Sequence, residues 1–188
     1  MRHGSCLVWI ALLLSGAAAG DVPRPNLVPQ PQKVERVHGA WPIGPGCRLI
    51  CDERGDRTVR VGVDEIEKRL AALGAPRPAA GKAETALPGD AAGGLSIVVG
   101  TPQGNPRIAG LAAKLGVKID PADPGPQGYV IRFGSMDRRP TALLAGSDNL
   151  GTLYACVTFA QMLRRDGPRV VVDAADVRDW PDFRQRII

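Results

Sequence analysis

The alternation of apolar and polar positions divides the chain into short strands separated by amphipathic helices. Lys33 to Val37 alternates with Val34 and Val37 inward, Gly39 predicts a turn, and Trp41 and Ile43 follow it as further apolar positions. Cys47 to Cys51 (CRLIC) predicts a second strand. Val59, Val63, Ile66, Leu70 and Leu73 then recur at spacings of three and four, the stripe of a helix that Asp56 caps and Gly74 ends. Ala75 to Gly94 is rich in Pro, Ala and Gly with no period, which predicts a loop.

Leu95 to Val99 (LSIVV) predicts a short buried strand, and Asn105 and Pro106 mark the start of a second helix with Ile108, Leu111, Ala112 and Leu115 on one face. Pro121 to Gln127 is turn-rich. Tyr129 to Phe133 and Thr141 to Ala145 predict a hairpin joined through Met136 to Pro140. The last helix, Gly151 to Arg164, carries two apolar stripes. Leu150, Leu153, Tyr154 and Val157 form one; Cys156, Phe159 and Leu163 form the other. A helix apolar on two faces is buried on two sides. The first stripe is expected to face the sheet and the second to face away, toward a partner surface or a long loop. The order of elements is alternating α/β.

The first residues have a different character. Arg2 and His3 precede the apolar run Cys6 to Leu14, and Ala17 and Ala19 satisfy the small-residue rule for signal cleavage. The run falls short of the roughly 20 residues that span a bilayer. Residues 1–19 therefore read as an export signal, with 20–32 a Pro-rich extended lead-in, 33–173 the folded domain and 174–188 a connector. Of 188 residues, 169 remain after the signal, enough for one domain. Apolar content of 44% and charged content of 23% are globular values. The net charge of +5 is spread along the chain, so no basic face marks a nucleic-acid partner. Once the signal is cleaved, nothing calls for a membrane.

Candidate chemistry is sparse. Cys47, Cys51 and Cys156 are an odd number of thiols; on a strand the first two lie roughly 13 Å apart, too far to bridge. A Cys47–Cys156 or Cys51–Cys156 bridge stays open beside three free thiols. His38 is the one histidine after the signal, and no zinc spacing is present. Gly100 to Gly104 sits where a phosphate cradle would, but lacks the glycine and lysine pattern of one. Asp173, Asp176, Asp179 and Asp182, interleaved with Arg178, Arg184 and Arg186, read as a solvated, charge-balanced connector. Trp41, Trp180, Tyr129 and Tyr154 are the aromatics that could stack on a sugar, and the two tyrosines lie in core patterns. No catalytic, cofactor-binding or metal-binding residue emerges, and no cofactor is expected.

Four stretches in order carry a resemblance. Asn26-Leu27-Val28-Pro29-Gln30-Pro31 with Gly39, Trp41 and Ile43 is similar to a P-x-P opening strand. Gln127-Gly128-Tyr129-Val130-Ile131 resembles an E-G-Y-x-L strand with Gln for Glu. Ala145-Gly146, Gly151, Tyr154, Thr158, Gln161, Met162 and Leu163 match a G-x-x-Y-G-x-x-T-x-x-Q-L-L helix, with Ala155 where Gly is usual. Asp179, Pro181, Phe183 and Arg186 look like the D-x-P-x-F-x-x-R-G that leads into a barrel, with Ile187 for Gly. Together these resemble the N-terminal accessory domain of glycoside hydrolase family 20 β-N-acetylhexosaminidases and related glycosidases.

The resemblance implies an α/β (α+β) fold: a mixed sheet with two to three helices mainly on one face, of the zincin-like type and without a metal motif. It implies a domain that is itself inactive and buttresses a (β/α)₈ barrel in cis. In that family the substrate's acetamido group is the nucleophile, with one carboxylate orienting it and another serving as general acid/base; glycan would be met only through the barrel. Cys156, Phe159, Leu163, Trp180 and Phe183 are then the candidate barrel-docking face. The other reading is a stand-alone exported binding or scaffold module that keeps the fold without an enzyme.

Overall fold

The computed structural model describes residues 25–51, 56–82, 94–136 and 138–182. Eight strands form one mixed sheet. They are β1 (Lys33–Ile43), β2 (Arg48–Cys51), β3 (Ala79–Lys82), β4 (Ser96–Gly100), β5 (Tyr129–Met136), β6 (Arg139–Gly146), β7 (Leu163–Asp166) and β8 (Arg169–Asp179). Helices α1 (Arg57–Ala72), α2 (Pro106–Lys114) and α3 (Asn149–Met162) lie between them. The strand order is β1-β8-β5-β6-β4-β2-β3, with β7 also paired to β8. The β2–β3, β2–β4 and β4–β6 ladders are parallel, and those of β1, β5 and β7 with β8 are antiparallel, as is β5–β6.

Side-chain alternation assigns the two faces. Leu49, Ile97, Val99, Ile131, Phe133, Ala142 and Leu144 point to the core shared with α1 and α3. Ile50, Val98, Val130, Leu143 and Ala145 point the other way, onto Ile108, Leu111 and Ala112 of α2. Two helices thus share one face and α2 covers the other. Strands buried on both faces read as unbroken apolar runs, which is why LSIVV and TALLA show no polar side.

Capping follows the sequence closely. Asp56 accepts from Thr58 N–H, Asn105 from Arg107 N–H at 2.9 Å, and Asp148 from Gly151 N–H at 2.7 Å. The hairpin forms as expected, with Tyr129↔Gly146 through Met136↔Arg139 in register. Three expectations change. Gly39 does not end a strand: at φ +88° it sits in a bulge of the continuous β1. A short parallel strand, β3, lies within the stretch expected to be loop, where small residues carry no strand signal. Residues 174–179 are the second half of β8, paired with β1 through Arg178 and with β5 from Val177 to Asp179, and not a connector.

The largest correction concerns α3. Cys156, Phe159 and Leu163 are fully buried in the domain's own core, whereas Val157 is 37% exposed. The stripes are reversed because two threonines join the inner side. Thr158 Oγ1 shares a 2.7 Å hydrogen bond with the Tyr129 hydroxyl, and Thr152 Oγ1 donates to Asp148 O at 3.0 Å. With their hydroxyls satisfied locally, both threonines bury, and counting apolar residues alone misplaces the face. Phe159 stacks on Phe133 with ring centroids 6.2 Å apart. Leu163 has already left the helix and begins β7.

Phe159→Ala should therefore destabilise this domain by about 3–5 kcal/mol. Urea unfolding of the chain by itself is the measurement. A cost below about 1 kcal/mol would place the ring outside the core.

Candidate functional site

The chemistry-bearing residues gather where β8 changes partners. On one edge β8 pairs with β5 through Val177, Arg178 and Asp179, and with β7 through Arg169 to Val172. Between them, 173–176 have no ladder on that edge. Asp176, 1% exposed, fills this gap. Its carboxylate accepts from Phe133 N–H at 2.8 Å, Arg132 Nη1 at 3.0 Å and His38 Nε2 at 2.9 Å. Arg132 Nη2 also donates to Glu35 at 3.1 Å.

The partners arrive by a backbone device. The β1–β8 register skips Glu35 and His38, so each is the extra residue of a bulge. Bulges re-aim side chains, and both turn toward Asp176 and Arg132. Asp176 is the only buried carboxylate among the described residues. The expected solvated row of aspartates is thus not one. Asp173 is held by Arg164 Nε at 2.9 Å to both oxygens, Asp179 accepts from Gln32 N–H at 3.0 Å, and Asp182 is exposed.

An aspartate on a histidine resembles part of a hydrolytic triad. Here the carboxylate meets three donors at once, and His38 packs against the Trp41 and Phe133 rings, with centroids 5.9 and 6.0 Å away. This arrangement builds a sheet junction, with both carboxylate oxygens of Asp176 engaged by groups of the fold.

The remaining candidates resolve the same way. Gly104 N–H bonds back to Thr101, and Asn105 caps α2, so the strand–helix turn closes on itself. No group of three His, Cys, Asp or Glu placed to hold a metal occurs among the described residues. Tyr129 is 3% exposed, and burial pushes its hydroxyl well above the usual phenol range. Trp41 is wedged edge-on against Phe133 at 5.3 Å. Trp180 is half-buried with Lys33 Nζ 5.6 Å from its ring centroid. Cys47, Cys51 and Cys156 are thiols. Of the expected docking face, Cys156, Phe159 and Leu163 are core, Trp180 stays at the surface, and Phe183 lies outside the described residues, as do 1–19.

The motif residues prove to be architectural. A Cβ on Gly151 would meet Gly128 O at 2.2 Å, so α3 starts in direct backbone contact with the loop before β5. Asp148 ties the same joint by accepting from both Gln127 N–H at 2.8 Å and Gly151 N–H. Tyr129 reaches Thr158 along the helix. Gln161 exchanges two hydrogen bonds with the backbone of Val28, 2.9 and 3.0 Å, and straps the lead-in onto α3. Sequence reasoning marked Gln127, Gly128, Tyr129, Gly151, Thr158 and Gln161 without seeing that they meet, and it missed Asp148, the N-cap that joins them.

The surface outside the helix pair is where apolar groups face water. Val28 on the strap, Val61 on α1 and Val157 on α3 are 71%, 45% and 37% exposed, the exposed large hydrophobics of the described residues. Beside them a shallow groove of about 610 Å³ runs between the helices, floored by Ala72, Val157 and Ala160 and rimmed by Glu65, Lys68 and Arg69.

Comparison with known proteins now fixes the family. Residues 24–180 match glycosyl hydrolase family 20, domain 2, and the chain belongs to that family. No curated protein sequence matches it. Among solved structures it is similar to a glycoside hydrolase family 20 β-N-acetylglucosaminidase (TM-score 0.50, 20% identity, 87% of this chain and 24% of that one). It is also similar to a chitobiase of Flavobacterium johnsoniae (TM-score 0.52, 20% identity, 85% and 21%) and to CpGH84B (TM-score 0.60, 12% identity, 87% and 24%). At these identities the likeness is one of fold. The chain spans between a fifth and a quarter of the length of these structures.

If Asp176 organises the junction, Asp176→Ala should cost about 3 kcal/mol or more, because it strands Arg132 and the Phe133 amide. Asp166→Ala, which removes an exposed partner of Arg164, should cost under about 1 kcal/mol. Paired urea titrations measure both; equal costs would contradict the junction role.

Proposed function

We propose that this chain is the non-catalytic N-terminal domain of an exported β-N-acetylhexosaminidase-type glycoside hydrolase, and that it buttresses a (β/α)₈ barrel that carries the catalysis. The match of residues 24–180 to the second domain of family 20 carries this reading. The chemistry inside the chain agrees with it. Among the described residues the one buried carboxylate is held by groups of the fold, and the rings of Trp41, Tyr129, Phe133 and Phe159 pack within the domain, which supports a structural role. Export rests on the signal pattern of residues 1–19; no helix among the described residues is long and apolar enough to cross a membrane.

The docking face moves outward from its expected place. With Cys156, Phe159 and Leu163 in the core, the surface offered to a barrel is the outer side of α1 and α3, where Val28, Val61 and Val157 face water beside the groove. Exposed apolar side chains rimmed by charge mark interaction surfaces.

Two outcomes test this. The purified chain should not hydrolyse aryl N-acetylglucosaminides and should not bind chitooligosaccharides at micromolar concentration; micromolar binding would favour a stand-alone module. In a protein that joins this domain to its barrel, Val61→Asp with Val157→Asp should cost about 2 kcal/mol or more, since charges would enter an apolar interface. In the domain alone the same pair should cost within about 1 kcal/mol, each site being exposed. Thermal unfolding of both forms is the readout, and equal effects would remove this face from the interface.

A further inference from the structure

We propose that residues 27–32 are a clasp that orders the chain where it leaves the domain, so that the lead-in and the exit at Asp179–Asp182 close and open together. The lead-in is held along its whole length. Leu27 at one end is buried in the α1/α3 core, and Pro31 at the other is also buried. Between them the Val28 side chain faces water, yet both its backbone groups are bound. Its N–H donates to Gln161 Oε1 at 2.9 Å, and its carbonyl accepts from Gln161 Nε2 at 3.0 Å. Pro29 and Pro31 fix φ on either side of Gln30, so a displacement at Val28 is carried on to Gln32.

Gln32 reaches the exit. Its N–H donates to Asp179 Oδ1 at 3.0 Å, and its side-chain amide donates to Asp182. The next residue, Lys33, sets its ammonium 5.6 Å from the centroid of the Trp180 ring and pairs with Arg178 where the β1–β8 ladder begins. Asp179 is the last residue of β8 and stands opposite Tyr129 in the β5 register. Trp180 and Asp182 lie beyond the ladders, and the lead-in supplies a contact to each.

These contacts close a ring. α3 holds Val28 through Gln161, the lead-in holds Asp179 through Gln32, Asp179 faces Tyr129 on β5, and Tyr129 returns to α3 through Thr158. Gln161 therefore acts on the exit from a distance, since both its bonds go to Val28. Coupling of this kind is reciprocal: release at either end loosens the other. The clasp belongs to this chain taken alone and does not depend on a barrel; where one follows, the clasp aims the segment that leads to it.

The test compares the full chain with its Gln161→Ala variant by backbone nitrogen relaxation and native-state amide exchange. In the unaltered chain the Trp180 and Asp182 amides should have order parameters near the rigid value of about 0.85. Gln161→Ala should speed Gln32 N–H exchange by about tenfold, the scale of one to two net hydrogen bonds. It should also drop the order parameters of Trp180 and Asp182 below about 0.6, while Ile131 and Val172 exchange at their former rates. Asp179→Ala should in turn speed exchange at Val28, and Asp179→Asn, which keeps an acceptor for Gln32 N–H, should leave Val28 slow. The proposal is overturned by an exit that is mobile in the unaltered chain, that stays ordered in Gln161→Ala, or that loosens only together with Ile131 and Val172. A Val28 amide indifferent to Asp179→Ala would overturn it as well.

Discussion

Asp176 sits where one strand must serve two partners on the same edge. Antiparallel β8 is long enough to hold β5 at one end and β7 at the other, but the two do not meet, and the backbone groups between them need partners. A buried carboxylate answers this by accepting the orphaned Phe133 amide directly. Its charge is then balanced by Arg132, and the two bulges of β1 supply His38 and Glu35 to complete the set. The division of the sheet has a consequence for the helices. Because β7 begins at Leu163 without a loop, the C-terminal end of α3 is fixed by the sheet itself. Phe159 stacks on Phe133, next in sequence to Arg132, and so the core is keyed to the same joint.

A second joint fixes the other end of α3. Gly151 against Gly128, Asp148 between Gln127 and Gly151, and Tyr129 on Thr158 lock the helix to the start of β5. All of these except Asp148 are residues through which the chain resembles its family, and each makes a contact that holds the fold. A pattern recognised in a glycosidase can thus be wholly structural. This domain presents to its surroundings a rigid helix pair whose outer side keeps Val28, Val61 and Val157 in water.

Much of this was legible in the sequence where local rules act. The caps Asp56 and Asn105, Pro106 at the first helical position, and the Tyr129–Ala145 hairpin follow from spacing and side-chain type. What spacing could not supply was partnership across the fold. Gly39 reads as a turn because a bulge and a turn ask the same of one residue, positive φ, and only the partner strand distinguishes them. Asp176 reads as one of four evenly spaced acids, since nothing local reveals that β5 leaves β8 at that point. The reversed faces of α3 have the same origin: Thr152 and Thr158 are polar until their acceptors are known. The expected docking residues Cys156, Phe159 and Leu163 therefore lie on the buried side of α3.

The junction can be observed one amide at a time. Native-state hydrogen exchange followed by NMR reports the opening free energy of Phe133 N–H relative to Ile131 N–H, which lies where β5 still pairs with β8. If Asp176 closes the gap as described, the Phe133 amide should exchange only through the same global opening as Ile131, although its partner is a side chain. Exchange of Phe133 through local opening, faster by about two orders of magnitude (~2.7 kcal/mol), would contradict the claim that this carboxylate holds the sheet together.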